Sequence, residues 1–350
     1  MEKLKVGVVG CGLISKLRHI PAYKRLDGLE LHAICDLNEE LAIQTAKEFE
    51  IPNFYTETSK MFAEEDLDIV DICVPPQIHA TIAIEAMESG ANVIMEKPMA
   101  TKVSDCEEMI KISKKNNVKL SVVHNDLFHS PFIKTKELIK NGQIGDFRGI
   151  KIFLSTPKHY MIDLEDHWYH KLPGGVIGET GPHISYMSLE FLENIQNVDV
   201  YAKSFLNYSW APYDDFRIEI EGSNGFSSVA LTYTADYWAA RVDIIGTKAM
   251  LQIDLNSMLI IKHDLSELSY VPIAKQTLGS VGQRVSNTIS KTANVISGRQ
   301  KIGTEIVVEK FAESILNGTP LPVTAEEGLE TTRLMEMIVR EYQEKYNLSE

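Results

Sequence analysis

The first 125 residues alternate short runs of apolar, often β-branched residues with helical stretches, and this alternation restricts the fold more than any other feature of the sequence. Helical stretches such as "NEELAIQTAKEFE" separate the apolar runs, which include "LKVGVVG", "LELHAICD", "LDIVDICV", "ANVIMEK" and "VKLSVVHN". Strands that are joined by helices form a parallel sheet covered on both faces. The pattern therefore predicts a doubly wound α/β domain of the Rossmann type over residues 1–125.

After residue 125 the chain changes to a succession of strand-like runs with short turns. The runs lie between residues 198 and 263, and the turns include "GSNG". Closely spaced runs of this kind are typical of an antiparallel sheet. We predict an α+β C-terminal domain over residues 126–323 with a mainly antiparallel open sheet and a helix near 183–193. A last helix, within residues 324–350, is expected to return to the first domain.

Composition excludes several classes of protein. A chain of 350 residues is too long for one ordinary core, which supports two domains. Its net charge of −14 disfavours nonspecific binding to nucleic acid. No apolar run approaches the roughly 18 residues that a transmembrane helix needs, and the N-terminus lacks a signal-peptide layout, so we expect a cytoplasmic protein without stable membrane insertion. The cysteines show no metal-type spacing, and we expect core thiols in a reducing compartment at Cys11, Cys35, Cys73 and Cys106.

The segment "GVVGCGLIS" follows the first predicted strand and opens a helix. Gly10 and Gly12 permit a tight turn and the close approach of a pyrophosphate to the backbone. Leu13 and Ile14 begin the helix, whose N-terminal amides attract such an anion. Ser15 stands where a third glycine is usual, but it leaves the two phosphate-facing glycines in place. In this context the segment predicts a dinucleotide-binding site.

The second predicted strand ends at Asp36. A carboxylate at this position accepts hydrogen bonds from the ribose hydroxyls and repels a 2′-phosphate. No arginine follows in "DLNEE" to offset that repulsion. We therefore predict NAD rather than NADP as the cofactor. Asp36 is also suited to cap the helix that follows it.

The stretch "NVIMEKPMA" places an acid and a base, Glu96 and Lys97, at the end of the predicted strand "ANVIMEK". Ligands of doubly wound folds bind beyond this edge of the sheet. Pro98 favours an extended Lys97, which directs the ammonium outward. A surface salt bridge would explain the two charges but not their coincidence with the cofactor edge.

The chain resembles the Gfo/Idh/MocA family of sugar and cyclitol oxidoreductases over nearly all of its length. The resemblance rests on "GVVGCG", Asp36, "VPPQIHATIAIEAMESGANVIMEKPMA", "NGQIGDF", "GGVIGETGPHISYM" and "PLPVTAEEGLE". It implies cofactor contacts at Gly10, Gly12, Leu13, Ile14, Asp36, Pro75, His79, Glu96 and Lys97.

The family's catalytic pattern, Asp-x-Gly-x-His, corresponds here to "GETGPH". The resemblance therefore implies that Lys97, Glu179 and His183 surround the carbon that gives hydride to the nicotinamide. A histidine, with an ordinary pKa of about 6.5, can accept the hydroxyl proton near neutral pH. An ammonium stabilises the negative charge that develops on the oxygen. We expect substrate contacts at Lys97, Asn125, Trp168, Glu179 and His183.

Trp168 lies in "HYMIDLEDHWYHK", whose aromatic faces and polar edges suit a polyol. His167 and His170 in this loop are three residues apart, a spacing that metal sites use. No cysteine or carboxylate cluster completes a ligand set, so we predict no metal.

Four positions depart from the family pattern. Glu179 replaces the aspartate, and Tyr186 stands where a second aspartate often follows the histidine. Pro76 replaces an asparagine, and Asp126 replaces an arginine. Together these departures argue against simple glucose or inositol specificity.

Residues 268–304 contain no acidic residue, and five cations lie within them: Lys275, Arg284, Lys291, Arg299 and Lys301. Apolar residues recur there near helical spacing. The segment is interpreted as a mobile connection or as a helix that packs on a neighbouring subunit. A lid over an anionic substrate, or contact with a membrane surface, is the alternative.

The sequence as a whole predicts an NAD-dependent oxidoreductase that acts on a secondary hydroxyl of a sugar, cyclitol or nucleotide sugar. We expect a homo-oligomer, a dimer or tetramer, formed through the C-terminal sheet. Two alternatives remain open. One is a glycoside hydrolase that uses NAD for transient oxidation and elimination, and the other is a non-catalytic NAD-sensing regulator.

Overall fold

The structure is a computed structural model that describes residues 3–264, 267–297 and 301–348. Arg299 of the basic segment therefore lies outside the described residues. The chain divides into two compact units, residues 1–125 with 302–336 and residues 126–301 with 337–350. This division differs from the prediction for two segments. Residues 302–323 were predicted in the C-terminal domain but fall in the first unit, and residues 337–350 were predicted to return to the first domain but fall in the second unit.

Residues 1–125 form a parallel six-stranded sheet with the strand order β3-β2-β1-β4-β5-β6, which confirms the predicted Rossmann fold. The strands are β1 (Leu4–Val9), β2 (Leu29–Cys35), β3 (Asn53–Tyr55), β4 (Ile69–Ile72), β5 (Asn92–Met95) and β6 (Leu120–Val122). Helices cover the sheet: α1 (Ile20–Arg25), α2 (Glu39–Phe49), α3 (Thr58–Glu64), α4 (His79–Glu88) and α5 (Val103–Asn116). The central strands β4 and β5 are almost wholly buried on both faces, so their residues are apolar apart from Asp71 and Asn92.

A π-helical turn, Ser15–His19, leads directly into α1. Pro21 lies in the first turn of α1, directly after the π-helical turn, and its ring removes one backbone N–H donor at this junction. The turn buries both Ser15 and His19. A π-helical turn inserts one extra residue into a helix and is frequent at functional sites.

Residues 126–301 form a seven-stranded sheet with the order β13-β12-β11-β7-β10-β9-β8. Within the described part of this second sheet, β7 and β10 pair in parallel and the other neighbouring strands pair antiparallel, so the predicted mainly antiparallel sheet is confirmed. The elements in chain order are α6 (Ser130–Lys140), β7 (Phe147–Ser155), α7 (Val176–Leu189), β8 (Ile195–Lys203), β9 (Asp215–Gly222), β10 (Gly225–Thr232), β11 (Ala239–Gly246), β12 (Met250–Asp254), β13 (Leu259–His263) and α8 (Tyr270–Ile296).

The start of α7 differs from the prediction, since the helix begins at Val176 rather than near residue 183. The glycines and Pro182 favoured a loop in the sequence, yet Pro182 lies inside the helix. Gly178 is required by packing, because a Cβ there would lie 2.6 Å from Leu172. Glycine-rich sequence here marks close packing rather than a loop.

Two further helices, α9 (Gly303–Asn317) and α10 (Ala325–Tyr346), end the described chain. Within the first unit, Glu326 of α10 pairs with Lys114 at 2.8 Å. Within the second unit, the Ala202 N–H donates to the Tyr346 hydroxyl at 2.6 Å. Among the described helices, none has the length and apolarity needed to cross a bilayer.

Candidate functional site

The glycine turn after β1 has the shape that a dinucleotide requires. Gly10 has a φ of +101°, and a Cβ at this position would lie 2.5 Å from the Cys73 carbonyl oxygen, so a side chain is excluded. At Gly12 a Cβ would meet no atom within 4 Å, so this side of the turn is open to a ligand. Leu13 and Ile14, which follow, are 59% and 46% exposed. The residues of the turn fit a bound pyrophosphate.

Asp36 lies directly after β2 and is fixed to the glycine turn. Its Oδ2 accepts a hydrogen bond from the Cys11 N–H at 2.8 Å, and its Oδ1 accepts from the Asn38 N–H at 2.9 Å. The cap of α2 is Asn38, whose side chain accepts from the Leu41 N–H at 3.1 Å. Asn38, and not Asp36, therefore caps α2. The Asp36 carboxylate is held at the position where a ribose is expected.

The remaining predicted cofactor residues follow β4 and β5, the strands next to β1 on its other side. Pro75 follows β4, and Glu96 and Lys97 follow β5. Because the strands are parallel, their carboxyl ends share one edge of the sheet with Gly10 and Asp36. The Lys97–Pro98 peptide bond is cis.

His19 lies in a buried cluster of charges beneath this edge. Its Nδ1 is 2.7 Å from Asp71 Oδ2 and its Nε2 is 2.8 Å from Glu96 Oε1. The Tyr23 hydroxyl also donates to Asp71 Oδ2, at 2.8 Å. Since each ring nitrogen faces a carboxylate, both donate, and the imidazole is protonated. Burial alone would lower the pKa of His19, but the adjacent Asp71 carboxylate holds it well above its usual value.

This cluster gives Glu96 a partner inside the first unit. One carboxylate oxygen accepts from His19, and the other accepts from the Lys97 N–H at 3.2 Å. The direct cofactor contact assigned to Glu96 stays a prediction. The observed bonds show that the carboxylate also anchors the backbone of the residue that carries the ammonium.

His79, predicted to contact the cofactor, is completely buried and joins two loops of the sheet edge. Its Nε2 lies 2.8 Å from the Val74 carbonyl oxygen and its Nδ1 lies 3.0 Å from that of Pro98. Burial lowers the pKa of His79, an effect that the hydrogen bonds to the Val74 and Pro98 carbonyls oppose. His79 therefore supports the segments that carry Pro75 and Lys97.

His19, Asp71 and Cys73 have the residue types of a metal site, since their potential ligand atoms lie within 4.8 Å of one another. Metal binding needs a thiolate, and burial raises the pKa of the Cys73 thiol to about 12. Both nitrogens of His19 already bind carboxylates. We therefore interpret the group as a hydrogen-bonded cluster.

The second unit holds His183 in α7, and two other side chains fix its ring. The Nδ1 atom is 2.8 Å from Asp126 Oδ2 and 2.6 Å from the Tyr186 hydroxyl, which itself donates to Asp126 Oδ2 at 2.6 Å. His129 Nε2 lies 3.5 Å from the other oxygen of Asp126. Burial alone would raise the pKa of the Asp126 carboxyl, but His183 and His129 hold it well below its usual range.

This arrangement determines what His183 can do. A carboxylate on Nδ1 keeps the proton on that nitrogen, and Nε2 then carries the lone pair that can accept a proton. Asp126 and Tyr186 were two of the departures from the family pattern. We interpret the two departures as compensating for each other. Position 186 lacks the carboxylate of the family pattern, and Asp126 places a carboxylate beside the histidine instead.

Glu179 lies one helical turn before His183, in the first turn of α7. The next residue, Thr180, forms a hydrogen bond through its hydroxyl with the hydroxyl of Tyr233, which directly follows β10. Burial lowers the pKa of His167, in the loop that carries Trp168, and the Glu179 carboxylate opposes this effect. His167 Nδ1 is buried and has no hydrogen-bond partner within the described residues.

Sequence reasoning did not predict the roles of four of these residues: His19, Asp71, Asp126 and Tyr186. The His183–Asp126 bond joins residues 57 apart, and the His19–Asp71 bond joins residues 52 apart, so no local periodicity signals either. The sequence offered one signal for the partners of His183. The departures from the family pattern at Asp126 and Tyr186, considered together, could have indicated that a carboxylate had moved from one position to the other.

Comparison with known proteins assigns both parts of the chain. Residues 4–124 match the family described as "Oxidoreductase family, NAD-binding Rossmann fold", and residues 132–252 match the "GFO/IDH/MocA C-terminal domain". The chain belongs to the Gfo/Idh/MocA family. Its first unit is thus an NAD-binding domain of an oxidoreductase family, which confirms the predicted family, fold and NAD binding. The preference for NAD over NADP stays a prediction.

Two Bacillus subtilis members of this Gfo/Idh/MocA family match almost the whole chain. "Uncharacterized oxidoreductase YrbE" is 25% identical over 95% of this chain and 92% of its own length. "Scyllo-inositol 2-dehydrogenase (NADP(+)) IolW" is 24% identical over 99% of this chain and 95% of its own length.

Solved structures of the family share the fold. The WlbA dehydrogenase from Bordetella pertussis, in complex with NADH and UDP-GlcNAcA, superposes with a TM-score of 0.81 at 22% identity and covers 98% of this chain and 96% of its own. Scyllo-inositol dehydrogenase from Lactobacillus casei, with NAD(H) and scyllo-inositol, gives a TM-score of 0.79 at 18% identity, and the match covers 98% of this chain and 98% of that chain.

Proposed function

We propose that the chain is an NAD-dependent dehydrogenase that transfers hydride between the nicotinamide and a secondary hydroxyl or keto carbon of a sugar, cyclitol or nucleotide sugar. The observation that carries the proposal is the bond from His183 Nδ1 to Asp126 at 2.8 Å, which leaves the Nε2 lone pair for a substrate proton. The substrates named for family relatives, scyllo-inositol and UDP-GlcNAcA, are both polyhydroxylated and support the substrate class.

NAD, when bound, accepts or donates the hydride. His183 would take the hydroxyl proton during oxidation, and the Asp126 carboxylate would stabilise the imidazolium that results. Lys97 would bind the substrate oxygen and stabilise its developing negative charge. Glu179, Asn125 and Trp168 would hold neighbouring hydroxyls of the substrate.

We also propose a preference for NAD over NADP, because Asp36 is fixed by the Cys11 N–H where a 2′-phosphate would lie. We further propose that the chain acts as a homo-oligomer in the cytoplasm. All four cysteines are free thiols, in agreement with a reducing compartment.

The test is a screen of NADH absorbance with sugars, cyclitols and nucleotide sugars. On an active substrate, Asp126→Asn should lower kcat by about 10²-fold or more, because an amide does not hold the required tautomer. Lys97→Met should lower kcat by about 10²-fold. The control Tyr186→Phe keeps the bond between the imidazole and the carboxylate, so its kcat should fall by less than about tenfold.

Three outcomes would contradict the proposal. NAD binding without turnover on the whole panel would favour a regulator. Release of an aglycone without net NADH would favour the hydrolase. Full activity of Asp126→Asn would remove His183 as the proton acceptor. Calorimetric titration of the wild type with NAD and NADP tests the cofactor preference separately, and equal affinities would contradict it.

A further inference from the structure

The histidine of the π-helical turn connects the glycine turn to the interior of the first unit. The π-helical turn, Ser15–His19, follows Gly12 closely, and the Lys16 N–H donates to the Gly12 carbonyl oxygen at 3.1 Å. His19 is the last residue of the turn and is 0% exposed. The segment that is expected to bind the pyrophosphate therefore ends in a fully buried, ionisable side chain.

The His19 ring joins two neighbouring strands of the sheet. Its Nδ1 lies 2.7 Å from Oδ2 of Asp71 in β4, and its Nε2 lies 2.8 Å from Oε1 of Glu96, which directly follows β5. The backbone N–H of Glu96 also donates to the Ile72 carbonyl oxygen at 2.9 Å. Hydrogen bonds between charged groups are about twice as strong as those between neutral groups. His19 thus fixes the Glu96 carboxylate relative to β4.

The Glu96 carboxylate transmits this restraint to the next residue. Its Oε1 accepts from His19, and its Oε2 accepts from the backbone N–H of Lys97 at 3.2 Å. A carboxylate is a rigid planar group, so the position of one oxygen determines the position of the other. The Glu96 side chain is only 16% exposed, so water replaces either bond poorly. His19 therefore acts on the backbone of Lys97 through a single carboxylate.

The two bonds of His19 require a protonated imidazole. Such a ring donates from two nitrogens at separate positions, whereas a glutamine amide carries both of its donor hydrogens on one nitrogen. Glutamine at position 19 would therefore lose one of the two carboxylate partners or bind both poorly. The Tyr23 hydroxyl is bonded to the Asp71 side of the same cluster, at 2.8 Å. Changes at positions 19 and 23 thus disturb one buried cluster at different places.

We propose that His19 is a positioning residue for Lys97: acting through Glu96, it holds the Lys97 backbone in the place from which the ammonium binds the reacting oxygen. The inference rests on the proposed function, which gives Lys97 its catalytic role. A displacement of about 1 Å in a catalytic group costs about 10²-fold in rate. A residue that only stabilised the fold would change the free energy of unfolding and leave the turnover of the folded enzyme intact.

The experiment is a double-mutant cycle of kcat between positions 19 and 97, on the active substrate and at a temperature where each variant is folded. His19→Gln should lower kcat at least about tenfold in the wild-type background. In the Lys97→Met background it should lower kcat by less than about twofold more, because the group that His19 positions is absent. Equal fold losses in the two backgrounds would overturn the proposal.

The matched control is Tyr23→Phe, which removes a donor to Asp71 from the same buried cluster and leaves the bond between His19 and Glu96 in place. Its kcat should stay within about twofold of the wild-type value. A loss as large as that of His19→Gln would show that any damage to the cluster slows the enzyme, which contradicts a specific action through Glu96.

Hydrogen exchange of the Lys97 amide measures the restraint without any substrate. This amide should exchange at least about tenfold faster in His19→Gln than in the wild type, and within about twofold of the wild-type rate in Tyr23→Phe. Glu96→Gln is a second variant, because its neutral amide keeps the shape of the side chain and weakens the bond to His19. It should speed the exchange at least about threefold. A Lys97 amide that exchanges at the wild-type rate in both variants would overturn the proposal.

Together the two measurements separate this inference from the proposed function. Faster exchange in His19→Gln, with no turnover by the wild type on the whole substrate panel, would contradict the dehydrogenase and support the restraint on Lys97. Faster exchange with an unchanged kcat would instead show that the restraint has no part in catalysis, and the positioning role would be wrong.

Discussion

At the scale of residues, two histidines of this chain bind carboxylates with different consequences. His19 is fully buried and has a carboxylate on each ring nitrogen, so its proton count is fixed by its surroundings. His183 is partly exposed and binds a carboxylate through Nδ1. The first arrangement suits a permanent counter-ion and the second suits a group that gains and loses a proton.

His19→Gln should lower the free energy of unfolding by about 3 kcal/mol near pH 6, because it leaves two buried carboxylates without their counter-ion. The pKa of His19 is raised in the folded chain, so its contribution is complete below the unfolded pKa of about 6.5. The contribution is lost as the pH rises through the folded value. The difference from wild type in urea denaturation should therefore shrink in alkaline solution.

The matched control for His19→Gln is Tyr23→Phe, which removes a neutral donor to the same Asp71 oxygen. Tyr23→Phe should lower the free energy of unfolding by about 1 kcal/mol, and this difference from wild type should be the same at neutral and mildly alkaline pH. A His19→Gln deficit that stays constant over that range would argue against a buried imidazolium.

At the scale of elements, two glycines in helices of the same chain should respond in opposite ways to alanine. A Cβ on Gly303, at the start of α9, would lie 2.0 Å from the Asn125 carbonyl oxygen. A Cβ on Gly279, inside α8, would meet no atom within 4 Å. Gly303→Ala should therefore destabilise by about 2 kcal/mol, and Gly279→Ala should stabilise by about 0.5–1 kcal/mol. Urea denaturation measures both, and shifts of the same sign would contradict the packing at Gly303.

Sequence periodicity predicted five of the six described strands of the first sheet and a helix within residues 324–350, because these elements repeat their pattern over several pleats or turns. It did not predict β3, whose three residues are too short to show a pattern. It failed at the start of α7, where Gly178 has a packing role that only the neighbouring Leu172 makes visible. The carboxylate of His183 was missed because the fold, not the local sequence, brings Asp126 to it. The catalytic roles predicted for Lys97, Glu179 and His183 remain predictions.

At the scale of the whole molecule, the first unit is assembled from two separate stretches of chain, residues 1–125 and 302–336. The second stretch contributes buried apolar side chains, including Val307, Val308 and Phe311, each at most 1% exposed. The residues that complete the first unit therefore follow all seven strands of the second sheet in the sequence.

A fragment of residues 1–125 should therefore lack cooperative unfolding and NAD binding, because the surface that α9 covers would face water. The same fragment joined to residues 302–336 by a flexible linker should regain both. Circular dichroism during urea titration and calorimetric titration with NAD measure the two properties. Cooperative unfolding and full NAD affinity of residues 1–125 alone would show that the second stretch is dispensable.

The side-chain amides that α8 places on β13 have a consequence for the behaviour of the chain at high concentration. A bare outer strand offers its unpaired N–H and C=O groups to any extended segment nearby, which is how sheets nucleate aggregates. Gln276, Gln283 and Asn287 occupy such groups at Ile260 and Lys262. Detachment of this one helix would convert a protected margin of the sheet into a template for fibre growth.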